Sequence, residues 1–279
     1  DSDFNGQATS DATGDDADGT DDEDGIVSGV YWQDGTDTAS ITYTVGLGSG
    51  WLVAWVDFDG NGSFAGIGEM IINQAVSAAD GATTLTFDVP AGTINVGAST
   101  TLNARFRLFP SEPGLPVLSF SGVASDGEVE DYQWILGSIG DLVWADTNGD
   151  GIKDGGESGL ENVTVALYHD ADGSGTINGG ETAFETVTTD ATGAYDFSGL
   201  LAGNYLVDVT DTNNVLTGLV LSGSMTDPFP VALTAGQVKE DADFGYVEPG
   251  NLEGYVYVDK NSNGSYDAGE GSSGVDVFI

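Results

Sequence analysis

The sequence predicts an all-β protein made of tandem antiparallel β-sandwich domains, Ig-like or prealbumin-like, with almost no helix. From residue 30 onward, short runs alternate apolar and polar residues with a period of two. Gly, Asn, Asp and Pro separate these runs, and helical periodicity is nearly absent. One strand-and-loop pattern occurs twice, with loops starting at Asp146 and Asp259, and the difference between these positions is 113 residues. A repeat of that length indicates tandem domains and not a solenoid.

The first domain is predicted to cover residues 1–136 and to begin with an acidic arm. The run DATGDDADGTDDEDG (11–25) has the composition of a solvated, flexible segment. The runs ASITYTV, TTLTFDV and TLNARFRLF then alternate like half-buried strands, and WLVAWVDF is apolar on both faces, as in a central strand. The segment INQAVSAAD (72–80) predicts at most one short helical turn.

Two further units are predicted, at 137–248 and 249–279. The second unit contains seven short strand patterns, which is typical of an antiparallel sandwich of about a hundred residues. The third unit repeats only the opening of the second, and its two strands either belong to a longer domain or complete another sheet. Both junctions are short, which favours a stiff, rod-like array. The seven patterns are IGDLVWAD, ENVTVALYHD, FETVTTD, GAYDFSGL, NYLVDVTD, FPVALTAG and DADFGYV.

The composition of the chain excludes several classes of function. It has 5 Lys and Arg against 46 Asp and Glu, and a formal net charge of -41. Such a chain repels nucleic acid and anionic membrane surfaces, so neither is an expected partner, and this segment is not expected to insert into a membrane. The absence of cysteine excludes disulfides and Cys-based zinc sites. Bound metal ions are another way to stabilise a secreted domain.

The stretch DTNGDGIKDGGE (146–157) has the ligand spacing of a calcium-binding EF-hand loop. Calcium takes six to eight oxygen ligands, and such a loop supplies them from positions 1, 3, 5, 7, 9 and 12, with glycine at position 6. Every one of these positions is filled in this stretch, and Gly151 stands at position 6. The predicted ligands are Asp146, Asn148, Asp150, the carbonyl of Ile152, Asp154 and Glu157.

Three further stretches have related spacing. DADGSGTINGGE (170–181) and DKNSNGSYDAGE (259–270) match completely. DFDGNGSFAGIGE (57–69) has Ala65 at position 9 and its glutamate one residue late, which predicts fewer side-chain ligands or a water. The predicted ligands are Asp170, Asp172, Ser174, the carbonyl of Thr176, Asn178 and Glu181; then Asp259, Asn261, Asn263, the carbonyl of Ser265, Asp267 and Glu270; and finally Asp57, Asp59, Asn61, the carbonyl of Ser63 and Glu69.

Each complete loop is predicted between two strands and not between two helices. Without a helix pair to open, a calmodulin-like switch is not expected. The predicted cofactor is Ca2+, as several structural ions whose binding free energy contributes to folding.

The chain resembles two domain families of bacterial surface proteins. Residues 138–247 resemble an SdrD B-like repeat, a relative of Cna B-type domains, through IGDLVWADTNGDGIKDGGESGLENVTVAL, TTDATGAYDFSGLLAGNYLVDV and DADFGY; residues 250–279 resemble the start of another. Residues 1–136 resemble the GEVED domain through GDDADGTDDEDGI, WVDFDGNGSF and GEVEDYQW. The resemblance implies calcium-binding β-sandwiches in secreted or cell-surface proteins, where they serve as stalks and adhesive modules.

The resemblance also suggests acidic ligands outside the loops, unless these residues only form turns or solvated surface. The candidates are Asp141, Asp241 and Asp243 in the second domain, and Asp22, Asp24, Glu128, Glu130 and Asp131 in the first. Some Cna-type domains contain an isopeptide bond between a lysine and an Asn or Asp. None of the three lysines, Lys153, Lys239 and Lys260, lies in an apolar strand, so no such bond is expected.

The sequence contains no catalytic pattern, and the protein is not expected to be an enzyme. The single histidine, His169, precedes a predicted calcium loop and is expected on the surface, and no Ser-His-Asp, Cys-His or phosphate-loop pattern occurs. The alternative function is a carbohydrate- or ligand-binding module with an aromatic stacking surface. Most of its aromatic residues are expected in the core, but one of the adjacent pair Tyr31 and Trp32 should face outward. The aromatic candidates are Tyr31, Trp32, Trp51, Trp55, Trp134 and Trp144.

The leading prediction is a structural, calcium-stiffened segment of a secreted or cell-surface protein, as an adhesin stalk or an extracellular filament subunit. In a filament, strands such as GVDVFI or EGYVYV would add to the sheet of a neighbouring subunit. The expected partners are other copies of the chain, further repeats of the same protein, or a ligand on a host or neighbouring-cell surface.

Overall fold

The fold is all-β, as predicted. The structure is a computed structural model, and it describes residues 25–46, 48–114, 120–121, 128–250 and 254–275. No helix in these ranges has the length and hydropathy of a membrane span. The strands are β1 (Ile26–Ser28), β2 (Ala39–Tyr43), β3 (Ser49–Asp57), β4 (Met70–Ser77), β5 (Thr83–Phe87), β6 (Thr100–Phe109), β7 (Glu128–Ala145), β8 (Thr164–His169), β9 (Ala183–Thr188), β10 (Ala194–Leu200), β11 (Gly203–Val209), β12 (Val220–Leu221), β13 (Phe229–Leu233), β14 (Val238–Lys239) and β15 (Phe244–Val247).

The first domain is a sandwich of two sheets around one apolar core. One sheet has the strand order β1-β2-β5, and the other has the order β4-β3-β6-β7, with the first half of β7 taking part. Trp32, Ile41 and Leu136 are completely buried between the two sheets. The two-sided apolar pattern of WLVAWVDF is confirmed, because Val53 and Trp55 pack in a second cluster on the outer side of the same sheet.

The segment 72–80 is mostly a strand, so the predicted helical turn is confined to its end. β4 runs to Ser77 and pairs with β3 along its length. Only Ala78–Asp80 form a 3-10 turn, which begins where the Ser77 hydroxyl accepts a hydrogen bond from the Ala79 amide at 3.2 Å. Pairing with a neighbouring strand has overridden a weak local helical preference.

The second domain is also a two-sheet sandwich, and all seven predicted strands are present. They are the second half of β7 together with β8, β9, β10, β11, β13 and β15. One sheet has the order β13-β11-β8-β9, and β7 organises the other with β10, β14, β15 and β12. The antiparallel sandwich is confirmed with one departure, because β14 and β15 pair with β7 in parallel. β12 and β14 have only two residues each, too few to show an alternating pattern.

A single strand connects the two domains. β7 is 18 residues long and runs through the predicted boundary at 136/137 without interruption. It pairs with β6 up to Leu136 and with β10 from Gly137 onward. The junction therefore has no linker residue free of the sheets, which favours a stiff connection.

Residues on each side of the junction enter the core of the other domain. Tyr31 lies in the apolar core of the second domain, and Leu201 packs against the core of the first. Backbone hydrogen bonds join Trp32 N to Gly199 O at 2.9 Å and Leu201 N to Val30 O at 3.0 Å. The prediction that Tyr31 or Trp32 faces outward is wrong, because both are buried. Adjacent side chains of an extended segment point in opposite directions, and here each direction leads to a different core.

Gly199 permits the close approach of the two domains. Its φ is +81°, in the region that favours glycine. A Cβ atom at this position would also collide with the carbonyl oxygen of Trp32. The contact between the domains thus requires glycine for two independent reasons.

An acidic side chain is buried beside the junction. Glu185 on β9 lies near the Tyr31 hydroxyl, yet within the described residues neither Glu185 Oε2 nor this hydroxyl has a well-formed hydrogen bond. Burial raises the pKa of Glu185 to about 7; the Tyr31 hydroxyl lowers it and the charge of Asp196 raises it by smaller amounts. Ionisation of this group near neutral pH therefore costs stability.

We expect the native chain to lose stability as the pH rises from about 4.5 to about 7, between the unfolded and folded pKa values of Glu185. The raised pKa means that the folded state binds the Glu185 proton more tightly than the unfolded state, so the proton's contribution is complete at low pH and is lost through the folded pKa. Glu185→Gln should flatten this dependence and gain about 1–2 kcal/mol at mildly alkaline pH, after allowance for partial exposure. Urea unfolding across this range measures it, with Glu161→Gln on an exposed turn as the control. An unchanged slope in Glu185→Gln would contradict the assignment.

The outer face of the larger sheet of the first domain carries a buried ion pair that alternation alone does not predict. Arg105 and Arg107 are both almost completely buried on this face. Arg105 donates hydrogen bonds to both carboxylate oxygens of Asp131 and to the carbonyl of Phe120. Asp131, one of the additional acidic candidates, is therefore paired with an arginine.

The described part of the third unit forms a small hairpin. Tyr257 and Gly271 form a bridge, and Ser272 N donates to Val256 O at 2.9 Å. Val256 is 42% exposed, whereas Val143, its counterpart one repeat earlier, is completely buried. A hairpin with a single bridge does not enclose a core, so Tyr255, Val256 and Val258 remain exposed.

Candidate metal-binding loops

Three of the four predicted loops begin at the end of a strand. Asp57 is the last residue of β3, Asp146 follows β7 and Asp170 follows β8. These three side chains are at most 4% exposed, because the preceding strand holds them at the edge of a core. Asp259 instead lies two residues after the isolated bridge at Tyr257 in the third unit, and it is half-buried. The strand thus fixes the first acidic group before the glycine-rich loop folds back around it.

The first aspartate of each loop accepts backbone amides from its own loop. Its Oδ2 accepts the amide of the glycine at position 6, at 2.8 Å from Gly62 and Gly151 and at 2.9 Å from Gly175 and Gly264. Its Oδ1 accepts a second amide, from position 4 in the loop of Asp146 and from position 5 in the other three. The four loops therefore share one turn built around a carboxylate.

The closing glutamate is also held in the same way in all four loops. Its Oε2 accepts the amide of the residue three positions earlier, which turns the carboxylate back toward the start of the loop. The distances are 3.0 Å for Asp154 to Glu157, 3.0 Å for Asn178 to Glu181, 3.0 Å for Asp267 to Glu270, and 2.5 Å for Gly66 to Glu69.

The loop of Asp57 contains one extra residue, and the closing turn shows where it lies. Because Glu69 accepts the amide of Gly66, Gly66 and not Ala65 takes the place of the position 9 ligand. A side chain at Gly66 would require the Glu69 carboxylate to move, since a Cβ there would lie 2.5 to 2.8 Å from its atoms. The assignment of position 9 to Ala65 is therefore corrected to Gly66.

The structure brings three carboxylates together in two of the loops. Oxygens of Asp57, Asp59 and Glu69 lie within 4.8 Å of one another. The same is true of Asp170, Asp172 and Glu181. Within each set, one cation placed between the side chains can contact all three.

In the other two loops, side-chain amides connect the predicted ligands. Asn148 Nδ2 donates to Asp150 Oδ2 and to Asp154 Oδ2, both at 3.0 Å. Asp267 Oδ2 accepts from Asn261 at 2.7 Å and from Asn263 at 2.8 Å. A cation in these loops would replace the amide donors as the neutralising partner of the carboxylates.

The residue at position 7, whose carbonyl is the predicted ligand, is held by the side chain at position 5 in three loops. The amide-to-side-chain distances are 2.9 Å for Ile152 to Asp150, 3.3 Å for Thr176 to Ser174 and 2.8 Å for Ser265 to Asn263. In the fourth loop, Ser63 Oγ instead accepts the amide of Ala65 at 3.3 Å. These side-chain turns shape the loop without the help of a neighbouring element.

Hydrogen bonding keeps several of these carboxyl groups ionised. Burial raises the pKa of Asp146, but hydrogen bonds from Ser222 and from the loop amides outweigh it, so the pKa is lowered. A backbone amide is the largest cause of the lowered pKa of Glu157 and of Asp259. Ionised carboxylates in place before a cation binds are suited to a hard metal ion.

Glu69 differs from the other closing glutamates because one of its oxygens is buried and, within the described residues, has no hydrogen-bond partner. The side chain is 2% exposed, and Oε1 is buried without a hydrogen-bond partner within the described residues. Burial raises its pKa, the Gly66 amide lowers it, and the charges of Asp59 and Asp57 raise it again. A buried carboxylate oxygen that faces two other acidic groups fits a cation that prefers oxygen ligands.

The additional acidic candidates have varied surroundings. Burial and the charge of Asp141 raise the pKa of Asp243 to about 6. Asp241 pairs with Lys239 at 2.6 Å, and Glu130 accepts a tyrosine hydroxyl at 2.6 Å. Asp22, Asp24 and the side chain of Glu128 lie outside the described residues.

The remaining residues of interest take part in structural contacts. Lys153 donates to the carbonyls of Asp154 and Glu157, and Lys260 donates to Gly269 O at 2.7 Å, so both lysines brace their own loops. The ring of His169 is half-buried against Tyr205, 5.9 Å away. Of the six aromatic candidates, only Trp51 is partly exposed. The others are buried: Tyr31, Trp32, Trp55, Trp134 and Trp144.

The chain is a modular β-sandwich protein. Its two domains share one strand and carry acidic loops at their strand ends. Residues 51–135 match the family model of the GEVED domain, and residues 137–227 match that of the SdrD B-like domain. The chain therefore contains a GEVED domain followed by an SdrD B-like domain.

Sequence relatives belong to a much longer protein. Serine-aspartate repeat-containing protein D of Staphylococcus aureus strain Newman is 30% identical over 150 residues, which cover 51% of this chain and 11% of that protein. The same protein of strain MW2 gives 30% identity over 150 residues and 10% of its length. The matched region thus spans about a tenth of these relatives.

Solved structures of pilins are similar in fold. Domains D2 and D3 of the major pilin SpaD from Corynebacterium diphtheriae are 13% identical, with a TM-score of 0.35, and the match covers 80% of this chain and 98% of that one. The major pilin subunit BcpA of Bacillus cereus is 12% identical, with a TM-score of 0.28, over 80% of this chain and 70% of that one. At these values the likeness concerns the β-domain fold alone.

Proposed function

We propose that the chain is a structural segment of a secreted or cell-surface protein and that calcium ions staple its loops. The observation that carries the proposal is the shared geometry of four loops, each of which holds a first aspartate and a closing glutamate against equivalent backbone amides. Oxygen-only ligand sets with a carboxylate at each end suit calcium. In the loop of Asp57 this choice is supported by Glu69 Oε1, which is buried without a hydrogen-bond partner among the described residues.

Calcium serves folding in this proposal, because the loops have little else to hold them. The residues of the three complete loops are mostly exposed, and Ile152 is 64% exposed although it is one of the few apolar side chains among them. The net charge of -41 also opposes compaction unless cations neutralise part of it. Ion binding would contribute folding free energy at the places where apolar packing contributes least.

The junction between the domains supports the proposed mechanical role. β7 passes through both domains, and Tyr31 and Leu201 pack into the opposite cores, so tension along the chain is transmitted through paired strands. This construction suits an adhesin stalk or a filament subunit, and the names of the similar proteins, a serine-aspartate repeat protein and two pilins, support such a role. The proposed partners are further repeats or further copies of the chain.

Strand addition is the proposed mode of association in a filament. The hairpin at 254–275 exposes Tyr255 and Val258 at 72% and 60%, while the equivalent segment of the second domain is flanked by β10 and β15. A strand from a neighbouring subunit would occupy one of these flanking places. Negative-stain electron microscopy in calcium tests this, with filaments as the expected result and isolated short rods as the contrary one.

A catalytic or sugar-binding role is less well supported. The stacking residues proposed for a carbohydrate platform are buried except for Trp51, whose Nε1 already donates to Asn73 Oδ1 at 2.6 Å. The clustered carboxylates belong to loops closed by their own amides, which leaves them little freedom for acid-base chemistry. We therefore propose a non-catalytic protein. A glycan array without bound ligands is the expected result.

Removal of calcium is expected to lower the melting temperature sharply. One ion that binds only the folded chain contributes about 2.7 kcal/mol when free calcium is 100-fold above its Kd, and several loops would add such contributions. Differential scanning calorimetry in calcium and in EGTA measures the loss, and NaCl at matched ionic strength controls for general screening of the acidic charge. An unchanged melting temperature in EGTA would refute a structural role for calcium.

A further inference from the structure

We propose that Asn178 is a site of spontaneous deamidation and that the amide nitrogen of Gly179 is the nucleophile. The Gly179 nitrogen forms a bond to the Asn178 side-chain carbonyl carbon, the amide proton is transferred, and the side-chain nitrogen leaves as ammonia. Water then opens the resulting succinimide at either carbonyl carbon and yields aspartate or isoaspartate. Overall, asparagine and water become an aspartyl residue and ammonia, so water is the only co-reactant.

The sequence places the pairs most prone to this reaction inside the candidate metal loops. Asparagine followed by glycine reacts most readily, because glycine has no side chain to hinder attack by its nitrogen. Five such pairs occur, and Asn5–Gly6 lies outside the described residues. The other four are Asn61–Gly62, Asn148–Gly149, Asn178–Gly179 and Asn263–Gly264, one in each loop.

In three of these four pairs the attacking nitrogen is already engaged. The amides of Gly62, Gly149 and Gly264 donate to the first aspartate of their loops at 2.8, 2.7 and 2.9 Å. These hydrogen bonds to a carboxylate are charge-assisted and must break before the nitrogen can reach the asparagine side chain. The fold therefore protects these three asparagines.

The Asn178–Gly179 pair lacks this protection. Within the described residues no acceptor receives the Gly179 amide, and the space around Gly179 is open. Both residues are exposed, and Gly179 is the second residue of a turn closed by Glu181 N donating to Asn178 O at 3.1 Å. The nucleophile and its target thus adjoin in a solvent-accessible turn.

The other complete loops carry less reactive residues in the same turn. Glu157 N donates to Asp154 O and Glu270 N donates to Asp267 O, both at 3.1 Å, so these turns are equivalent to that of Asn178. An ionised carboxylate is a poor electrophile compared with an amide. The loop of Asp259 also has Ala268 in place of the reactive glycine, which shows that this turn accepts an alanine.

The consequence for the loop rests on the proposed calcium function. Asn178 Nδ2 donates to Asp172 Oδ2 at 2.8 Å. After deamidation to aspartate, this donor becomes a second carboxylate, which destabilises the ion-free loop and adds an anionic ligand for a cation. The isoaspartate product lengthens the backbone by one atom, which disturbs the hydrogen bond from Asn178 N to Glu181 Oε2. Ageing of this loop would therefore make its folding more dependent on calcium or disrupt it.

The test is peptide mapping by mass spectrometry after timed incubation of the whole chain in calcium-free buffer, at a temperature where circular dichroism shows it folded. Asn178 should deamidate at least about tenfold faster than Asn61, Asn148 and Asn263, because only in those three pairs is the attacking glycine nitrogen held by a charge-assisted hydrogen bond to a carboxylate. In urea, the four rates should converge. Similar rates at all four sites in the folded chain, or a faster rate at a clamped site, would overturn the proposal.

Gly179→Ala is the matched variant, and it should suppress deamidation at Asn178 without changing the rates at the other three sites. Persistence of the reaction in this variant would also overturn the proposal. Because the incubation contains no calcium, its outcome is separate from the EGTA melting experiment, and failure of either one leaves the other interpretable.

Discussion

Replacing Asp146 by alanine is expected to destabilise the second domain both in calcium and in EGTA. Asp146 is completely buried, and its carboxylate accepts the amides of Gly149 at 2.7 Å and Gly151 at 2.8 Å. Alanine would leave both amides without this acceptor. Hydrogen bonds to charged groups contribute about 1.5–3 kcal/mol each, so the loss of two should be about 3–6 kcal/mol even before a metal ligand is counted.

Asp150→Ala is the matched control in the same loop. Asp150 is exposed and accepts the Ile152 amide at 2.9 Å, but it does not hold the loop to the strand. In EGTA its replacement should cost about 1 kcal/mol or less. In calcium it should cost more, because a predicted ligand is then lost. Urea unfolding of both variants under the two conditions separates the backbone clamp from the metal site.

Two results would contradict this division of roles. Equal losses for Asp146→Ala and Asp150→Ala in EGTA would show that the buried carboxylate has no special part in holding the loop. A loss for Asp150→Ala that is the same with and without calcium would remove Asp150 from the ligand set.

The strands could be predicted from the sequence because each has its own local pattern. Alternation in ASITYTV and TTLTFDV identifies β2 and β5, and the two-sided apolar run identifies β3. The burial of Arg105 could not be predicted, because its partner Asp131 lies 26 residues away on the next strand of the sheet. The parallel pairing of β14 and β15 with β7 likewise depends on the path of the chain between these strands and not on any local residue.

The four loops could also be predicted from a local pattern in the sequence. The structural differences between them could not. Ligand spacing is a property of twelve consecutive residues, so the four stretches can be recognised from the sequence. The extra residue in the loop of Asp57 could be placed only once the hydrogen bond from Gly66 to Glu69 was known. The ionisation of Asp146 also depends on Ser222, which is distant in sequence and is brought near by the fold.

The loop of Asp170 borders the junction between the two domains. Tyr31 and Val30 from the first domain and Glu181 and Phe184 from the second line a common groove. Glu181 is the closing glutamate of the loop of Asp170, and the ring of Phe184 lies 5.0 Å from that of Tyr31. An ion in this loop would therefore stabilise the surface on which the first domain rests.

Replacing Tyr31 by alanine is expected to destabilise the second domain, although the residue belongs to the first. The Tyr31 side chain lies in the core of the second domain, and the segment around it pairs with the end of β10. Truncation of a buried aromatic side chain costs about 3–5 kcal/mol. Hydrogen exchange measured by mass spectrometry should show faster exchange in β10 and β11, because Tyr205 on β11 also donates its hydroxyl to Val30 O at 3.0 Å.

Tyr43→Ala provides the control, because Tyr43 is buried in the core of the first domain on β2 and takes no part in the core of the second. It should cost a comparable amount of stability but accelerate exchange in β2 and β5, with which it pairs. The two variants thus differ in where protection is lost and not in how much apolar surface is removed.

If Tyr31→Ala left exchange in β10 and β11 unchanged, the two domains would be independent units that merely touch. Loss of protection there would instead mean that the fold of the second domain is completed by a residue of the first, and that a segment cut at the predicted boundary would lack part of its own core.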